Sequence, residues 1–353
     1  MLNKLSSLFK FGFLSHELGI DLGTSNSLVT IKGKGIFIRE PSVVARNKNT
    51  GKILAVGSKA KEMLGKTPDF IEAVRPLKDG VISDFDACEA MLKNFFQRIN
   101  QGSSFLSGSG SVKVVIGIPS GVTEVERRAV QDAALSAGAR KAYLVEEPLC
   151  AAVGIGLPVE EAQGQMIIDI GGGTTEIAVL SLGGIVIDRC LRIAGDEMDD
   201  SIVNFMRMKH NLVVGLSSAE EVKCQIGSAS PFPAEKQYVV RGRDMAKGLP
   251  RSVKLSSSEV REAIVSVIQE IVASVHEVLE ETPPELMSDI SAKGIVLSGG
   301  GAMIYGLDKL ISESTKMPVW VADDPLTAVV RGCEKLLGND RLLNKLRIKE
   351  GLK

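Results

Sequence analysis

Two short stretches of this chain place an acid, glycines and hydroxyls at the end of an apolar run. The first is Ile20-Asp21-Leu22-Gly23-Thr24-Ser25-Asn26, and the second, 148 positions later, is Ile168-Asp169-Ile170-Gly171-Gly172-Gly173-Thr174-Thr175. Glycine there permits a tight turn that leaves main-chain N–H groups free to point at an anion, so each stretch can cradle a phosphate. Thr24, Ser25, Asn26, Thr174 and Thr175 add neutral donors. Asp21 and Asp169 suit a hydrated Mg²⁺, which keeps several waters and needs only one or two carboxylates. A single glycine-rich turn is a weak signal. Two in corresponding places imply a duplicated half, with the ligand clamped in a cleft between two similar domains.

Three further segments supply what a nucleotide needs beyond its phosphates. Gly294 to Ala302 is a buried-strand pattern running into Gly299, Gly300 and Gly301, where missing side chains let a flat base or ribose lie against the backbone. Between Ser217 and Gly227, Glu220 and Lys223 share one helix face at i, i+3, a carboxylate for ribose hydroxyls and an ammonium to flank the base. Glu146-Glu147-Pro148 stands at a strand-to-helix junction with the proline suited to the first helical position. A carboxylate there can orient water in line with a terminal phosphate, while the other glutamate complements the helix dipole.

Elements must position these groups, and the remaining sequence supplies them. The 353 residues are long enough for two or three domains, and 44% hydrophobic with 24% charged residues is an ordinary globular composition. A net charge of −1 excludes a global field for nucleic acid or anionic lipid, and no nucleic-acid partner is expected. Five separated cysteines without a C-x-x-C encode neither a disulfide framework nor a zinc site and suit a reducing cytosol. No apolar run is long enough to cross a membrane. Short strands are predicted at 19–23, 28–31, 35–39 and 112–118, and helices near 84–100 and 124–137. Ser256 and Glu259 form a capping box, and Val260, Ile264, Val267, Ile271, Val275 and Val278 continue a long amphipathic helix to about Glu281, ended by Pro283-Pro284.

In this order the motifs resemble the actin, sugar-kinase and DnaK-type ATPase superfamily. Ile20 to Asn26, Glu40-Pro41-Ser42-Val43-Val44, Arg75 to Ile82 and Asp169 to Glu176 are similar, within it, to the bacterial actins of the MreB type, from about Gly19 to about Leu337. The resemblance implies an α/β actin-like ATPase fold, with duplicated ribonuclease-H-like halves around a nucleotide cleft and a smaller subdomain inserted in each. The first half would take residues 19–150 and 325–353 with its insert at about 41–75; the second would take 151–324 with its insert at about 192–250. ATP/ADP and Mg²⁺ are the implied cofactors. Thr24 to Asn26, Gly171 to Gly173, the run Glu220, Glu221, Val222 and Lys223, and Gly299 to Ala302 would bind nucleotide. Glu147, Asp169 and Thr174 would form the catalytic group, with Glu147 rather than Glu146 polarising the water. The implied activity is slow ATP hydrolysis coupled to polymerisation, and the implied partners are the chain itself and membrane proteins of wall elongation. The segments 102–110 and 229–251 do not match the family pattern.

Competing functions lack their signatures. A DnaK-type chaperone would need a substrate domain where about 16 residues follow Leu337. No Asp-centred motif marks a sugar kinase, and a plasmid-segregation or cell-division actin is a closer alternative. Local membrane signals complete the reading. Leu2, Leu5, Leu8 and Phe9 fall on one arc of a helix within a membrane-binding segment expected over residues 1–18. Phe105-Leu106, two large apolar residues in a Gly/Ser loop, resemble the family's membrane-inserting loop. The expected location is therefore cytoplasmic, peripheral at the inner face of the membrane.

Overall fold

The computed structural model describes residues 16–101 and 112–348. The expected membrane residues Leu2, Leu5, Leu8, Phe9, Phe105 and Leu106 lie outside that range. Residues 16–18, assigned from sequence to the membrane segment, open the strand His16–Leu22 instead, with His16 and Leu18 buried.

Two five-stranded sheets carry the architecture, and they repeat one topology. In the first, His16–Leu22 pairs antiparallel with Asn26–Ile31, which pairs antiparallel with Gly35–Pro41. On its other side His16–Leu22 runs parallel to Val112–Ile118, and that strand parallel to Ala139–Glu146. The second sheet repeats this with Gln165–Ile170, Thr175–Ser181 and Gly184–Leu191 antiparallel, then Ile295–Ser298 and Val319–Val321 parallel. Asp21 and Asp169 occupy equivalent places, next to the turn of the first hairpin of each sheet. Gln165–Ile170 is buried at every position, which is why Met166, Ile167 and Ile168 run together instead of alternating with exposed polar residues, while Gln165 and Asp169 are buried polar groups.

Helices cover the sheets. Phe85–Gln101 and Glu124–Ser136 close the core of the first sheet, built on Leu18, Ile20, Phe95 and Ile116. The second core is closed by Ser257–Glu281, where Ser256 Oγ accepts from Glu259 N as the capping box requires, and all six expected apolar positions are buried. A third core joins the halves: Glu147–Ile155 and Ala328–Leu337 pack together between Val115 of one sheet and Ile167 and Ala178 of the other. The crossing is so close that a Cβ on Gly332 would stand 1.8 Å from the Cys150 carbonyl oxygen, and one on Gly154 1.9 Å from that of Ala328. The boundary expected between residues 150 and 151 thus falls inside a helix of this joint.

Small sheets stand above each half. One comprises Val44–Asn47, Ile53–Val56 and Ile71–Val74; the other, Leu212–Val213, Gln237–Asp244 and Pro250–Ser256, runs past the expected edge at 250. Among the described residues no helix is long and apolar enough to cross a membrane.

Candidate functional site

Both hairpin turns open into one cavity of about 570 Å³. The first turn is pinned by Ser42, whose hydroxyl donates to Gly23 O at 2.6 Å and whose N–H donates to Ser25 O at 3.0 Å. In the second, Thr175 Oγ1 donates to Ile193 O at 2.7 Å, and Asp196 N donates to Gly172 O at 2.7 Å as the helix Gly195–His210 begins. The turns face each other at contact distance. A Cβ on Gly172 would meet Ser25 Oγ at 2.2 Å, so this approach requires glycine. Thr24 Oγ1 accepts from Gly80 N at 3.0 Å, and Arg75 pairs with Asp196 at 2.9 Å across the cleft. Thr24, Ser25, Asn26, Gly171, Gly172, Gly173 and Thr174 all line the cavity, their backbone bending around a volume suited to a polyphosphate.

The cavity floor is acidic. Asp21, Glu147 and Asp169 line it, and Ser298 donates its hydroxyl to Asp169 at 2.6 Å. Burial pushes the Asp169 carboxyl up to about 6, and burial together with the Asp169 charge pushes Asp21 up to about 7. Glu147 is raised well above the usual carboxylate range, by burial first and then by Glu176, Asp21 and Asp169. Behind it Glu176, 1% exposed, is pushed up to about 8 by burial, although Ser120 N donates to it at 2.8 Å and the Cys190 thiol also favours its charged form. Burial dominates at all four positions, and the acids' own repulsion adds to it at Asp21, Glu147 and Glu176. A set of carboxylates so placed fits a cation. Among the described residues no three acidic, cysteine or histidine side chains converge on one metal position. The set therefore fits a hydrated Mg²⁺ held through water by Asp21 and Asp169, not a caged ion. Glu146 does not line the cavity, and Glu147 does.

At the other wall Gly299, Gly300 and Gly301 line the cavity, followed by Met303, Ile304 and Tyr305, with Ala302 buried behind them. The helix Leu216–Ile226 contributes only part of the run expected from sequence. Glu220 and Lys223 face the cavity, whereas Val222 is buried in the core and Glu221 accepts a hydrogen bond from Tyr238. Nor are the first two uncommitted. Both oxygens of Glu220 meet Lys61 Nζ, at 2.9 and 2.7 Å, and Lys223 donates to Gly195 O at 2.7 Å and Asp199 Oδ2 at 2.9 Å. Each ion pair leaves lone pairs or one N–H for a ligand while bracing the wall.

Sequence reasoning passed over Arg75, Gly80, Asp196 and Ser298, which hold the turns and Asp169, and Phe232, Lys236 and Tyr305, which line the cavity. Arg75 and Gly80 lay inside a motif already noted. Ser298 lay inside the Gly294 to Ala302 run, but its partner Asp169 is 129 residues away; Asp196, Phe232, Lys236 and Tyr305 carry no local pattern, because the groups they meet come from elsewhere in the chain.

Duplicated sheets of this topology, with a phosphate-type turn from each meeting in one cleft, define an actin-like ATPase fold. The chain belongs to the MreB/Mbl family: the profile of the MreB/Mbl protein matches residues 15–345. It is 49% identical over 330 residues to the cell shape-determining protein MreB of Escherichia coli K12, covering 92% of this chain and 94% of that one. To the cell shape-determining protein Mbl of Bacillus subtilis it is 44% identical over 334 residues, covering 95% and 99%. The crystal structure of MreB5 of Spiroplasma citri bound to AMPPNP is similar with a TM-score of 0.87 at 38% identity, over 93% of this chain and 97% of that one. MreB5 bound to ADP gives 0.87 at 39%, over 92% and 97%. A MamK double helical filament, 24% identical over 92% and 99%, shares the fold at a TM-score of 0.78.

Proposed function

We propose that this protein binds Mg·ATP in the cleft, hydrolyses it slowly to ADP and phosphate, and assembles with itself into filaments that maintain cell shape. The observation that carries the reading is the pair of glycine turns meeting at Ser25 and Gly172 above Asp21, Asp169 and Glu147. Backbone N–H groups of Thr24 to Asn26 and Gly171 to Thr174 would hold the phosphates from both sides. Asp21 and Asp169 would hold Mg²⁺ through water, and that ion would neutralise charge on the β- and γ-phosphate oxygens. Its charge would also draw the floor acids back to their ionised forms. Glu147 would then orient the attacking water from the helix end that fixes it, with the Thr174 hydroxyl as a second contact.

Filaments on the inner face of the cytoplasmic membrane, anchored by Leu2, Leu5, Leu8, Phe9, Phe105 and Leu106, would organise wall synthesis with membrane proteins of the elongation machinery. The family supports the role in shape, since its relatives in Escherichia coli and Bacillus subtilis are cell shape-determining proteins. The test combines calorimetric titration of Mg·ATP, phosphate release, and electron microscopy of the purified protein with ATP and lipid. Tight Mg·ATP binding with filaments is the expected result; a protein that binds no nucleotide, or phosphorylates a sugar, overturns the reading.

A further inference from the structure

The segment from Gly227 to Lys236 connects the helix Leu216–Ile226 to the strand Gln237–Asp244 without regular structure, yet it is firmly held. Ala229 N donates to Tyr305 O at 2.8 Å and Ser230 Oγ to Gly306 O at 3.1 Å. From the long helix, Arg261 donates to Ser228 Oγ at 2.8 Å and Ser230 O at 3.0 Å and pairs with Glu235. At the far end Lys236 N donates to Ser257 Oγ at 2.8 Å.

Between these ties lies Pro231-Phe232-Pro233. The Phe232 ring stacks on Tyr305 with centroids 4.3 Å apart and planes 22° apart, and Lys236 Nζ stands 4.4 Å over the Phe232 ring. All three side chains line the nucleotide-type cavity, on the wall that follows the three glycines. Among the described residues Phe232 belongs to none of the hydrophobic cores, and Lys236 is in no ion pair there while standing over the Phe232 ring. A half-exposed aromatic residue held between two prolines and left out of the core contributes little to folding. Stacked rings beside an uncompensated ammonium are instead suited to a flat heteroaromatic group with ring-nitrogen acceptors.

We propose that the Pro231-Phe232-Pro233 turn, braced on Tyr305 and capped by Lys236, is the wall that encloses the base of the bound nucleotide and sets how fast the nucleotide leaves. The inference rests on the nucleotide reading of the cleft and adds to it a residue-level account of base recognition. The phosphate turns grip what every nucleoside diphosphate shares with pyrophosphate, whereas this wall grips the base alone.

The full-length protein with Phe232→Ala, Phe232→Trp and Lys236→Met provides the test. Release of radiolabelled ADP is followed on a chase with excess unlabelled ADP, and affinities for ADP and for inorganic pyrophosphate are measured side by side. Phe232→Ala should release ADP about tenfold faster, because it removes the ring that braces Tyr305 and seats Lys236 at the base wall, and lower the ratio of ADP to pyrophosphate affinity by a similar factor. Phe232→Trp should keep release slow. Lys236→Met, at an exposed side chain that leaves the fold alone, should speed release about two- to fivefold, and it decides the matter if Phe232→Ala does not fold. Unchanged release in Phe232→Ala, or in Lys236→Met where that variant decides, overturns the wall. So does equal loss of ADP and pyrophosphate affinity, which would mark general damage. A parent protein that binds neither ligand overturns the nucleotide reading itself, and is distinguishable because it fails before any substitution.

Discussion

Asp169 has a shell that a hydrated cation would complete: a hydroxyl from Ser298 on one oxygen, a neighbouring acid in Asp21, and burial that disfavours its charge. Asp169→Ala should therefore weaken Mg·ATP binding by at least tenfold in a calorimetric titration, because the polyphosphate charge is left less compensated. Glu147 lines the cavity and is proposed to orient water and not to hold phosphate, so Glu147→Ala should retain nucleotide and slow single-turnover hydrolysis by about 100-fold, the cost of a mispositioned water. Wild-type turnover in that variant would pass the role elsewhere. The raised acids also predict a pH dependence. Asp169, Asp21 and Glu176 hold protons up to about 6, 7 and 8 in the folded chain. Unfolded, they release them near 4. The folded state thus binds more protons, and its stability, full below about pH 4, falls as pH rises from about 4 toward 8. The melting temperature of the nucleotide-free protein should fall from pH 6 to pH 8, and Mg·ADP should flatten the fall. A rising melting temperature would contradict the burial of these acids.

At the scale of elements the decisive contact is the crossing of Glu147–Ile155 and Ala328–Leu337, which ties the cavity-lining end of one helix to the junction of both sheets. Gly332→Ala forces a methyl into a carbonyl 1.8 Å away, and overpacking of this kind costs roughly 1–3 kcal/mol or more. Chemical denaturation should show that loss, with hydrolysis falling too as Glu147 shifts. Across the cleft mouth Lys61 and Glu220 link the two small sheets' elements with both side chains only partly buried. Such a pair contributes ~0.2–1 kcal/mol, so Lys61→Ala should speed ADP exchange no more than about fivefold. A larger change would mean that the pair governs closure on its own.

For the whole molecule, the proposed filament would convert weak membrane contacts into firm ones. In that reading a few apolar side chains per subunit, each contributing ~1.5–3 kcal/mol when fully buried, would bind lipid marginally as a monomer and strongly when many copies share one filament face. Deleting residues 1–10 together with Phe105→Ser and Leu106→Ser should leave ATP-dependent filaments in solution while abolishing their co-sedimentation with anionic liposomes at moderate salt. Persistent liposome binding by that variant would place the membrane face elsewhere.

Much of this was legible in the chain itself, because the signals were local. Glycine after an acid-tipped strand, the Ser256–Glu259 cap, Pro148 at a helix start and the apolar period of Ser257–Glu281 each act within one or two turns of backbone, so composition and spacing are enough to determine them. The echo of Asp21 in Asp169 likewise revealed the duplication before any sheet was seen. What only the tertiary structure decided was which groups meet and which are already engaged. Lys61 finds Glu220 from 159 residues away, Arg75 finds Asp196 from 121, and Cys150 lies against Gly332 in a crossing that no periodicity announces. Glu221 and Val222 share a run with Glu220 yet turn from the cavity, since the helix period sends neighbours in sequence to different faces. Phe232 joins Tyr305 only because two loops that differ in sequence close on the same cleft. Spacing along the chain determines what a segment can do; packing between segments determines what it is left free to do.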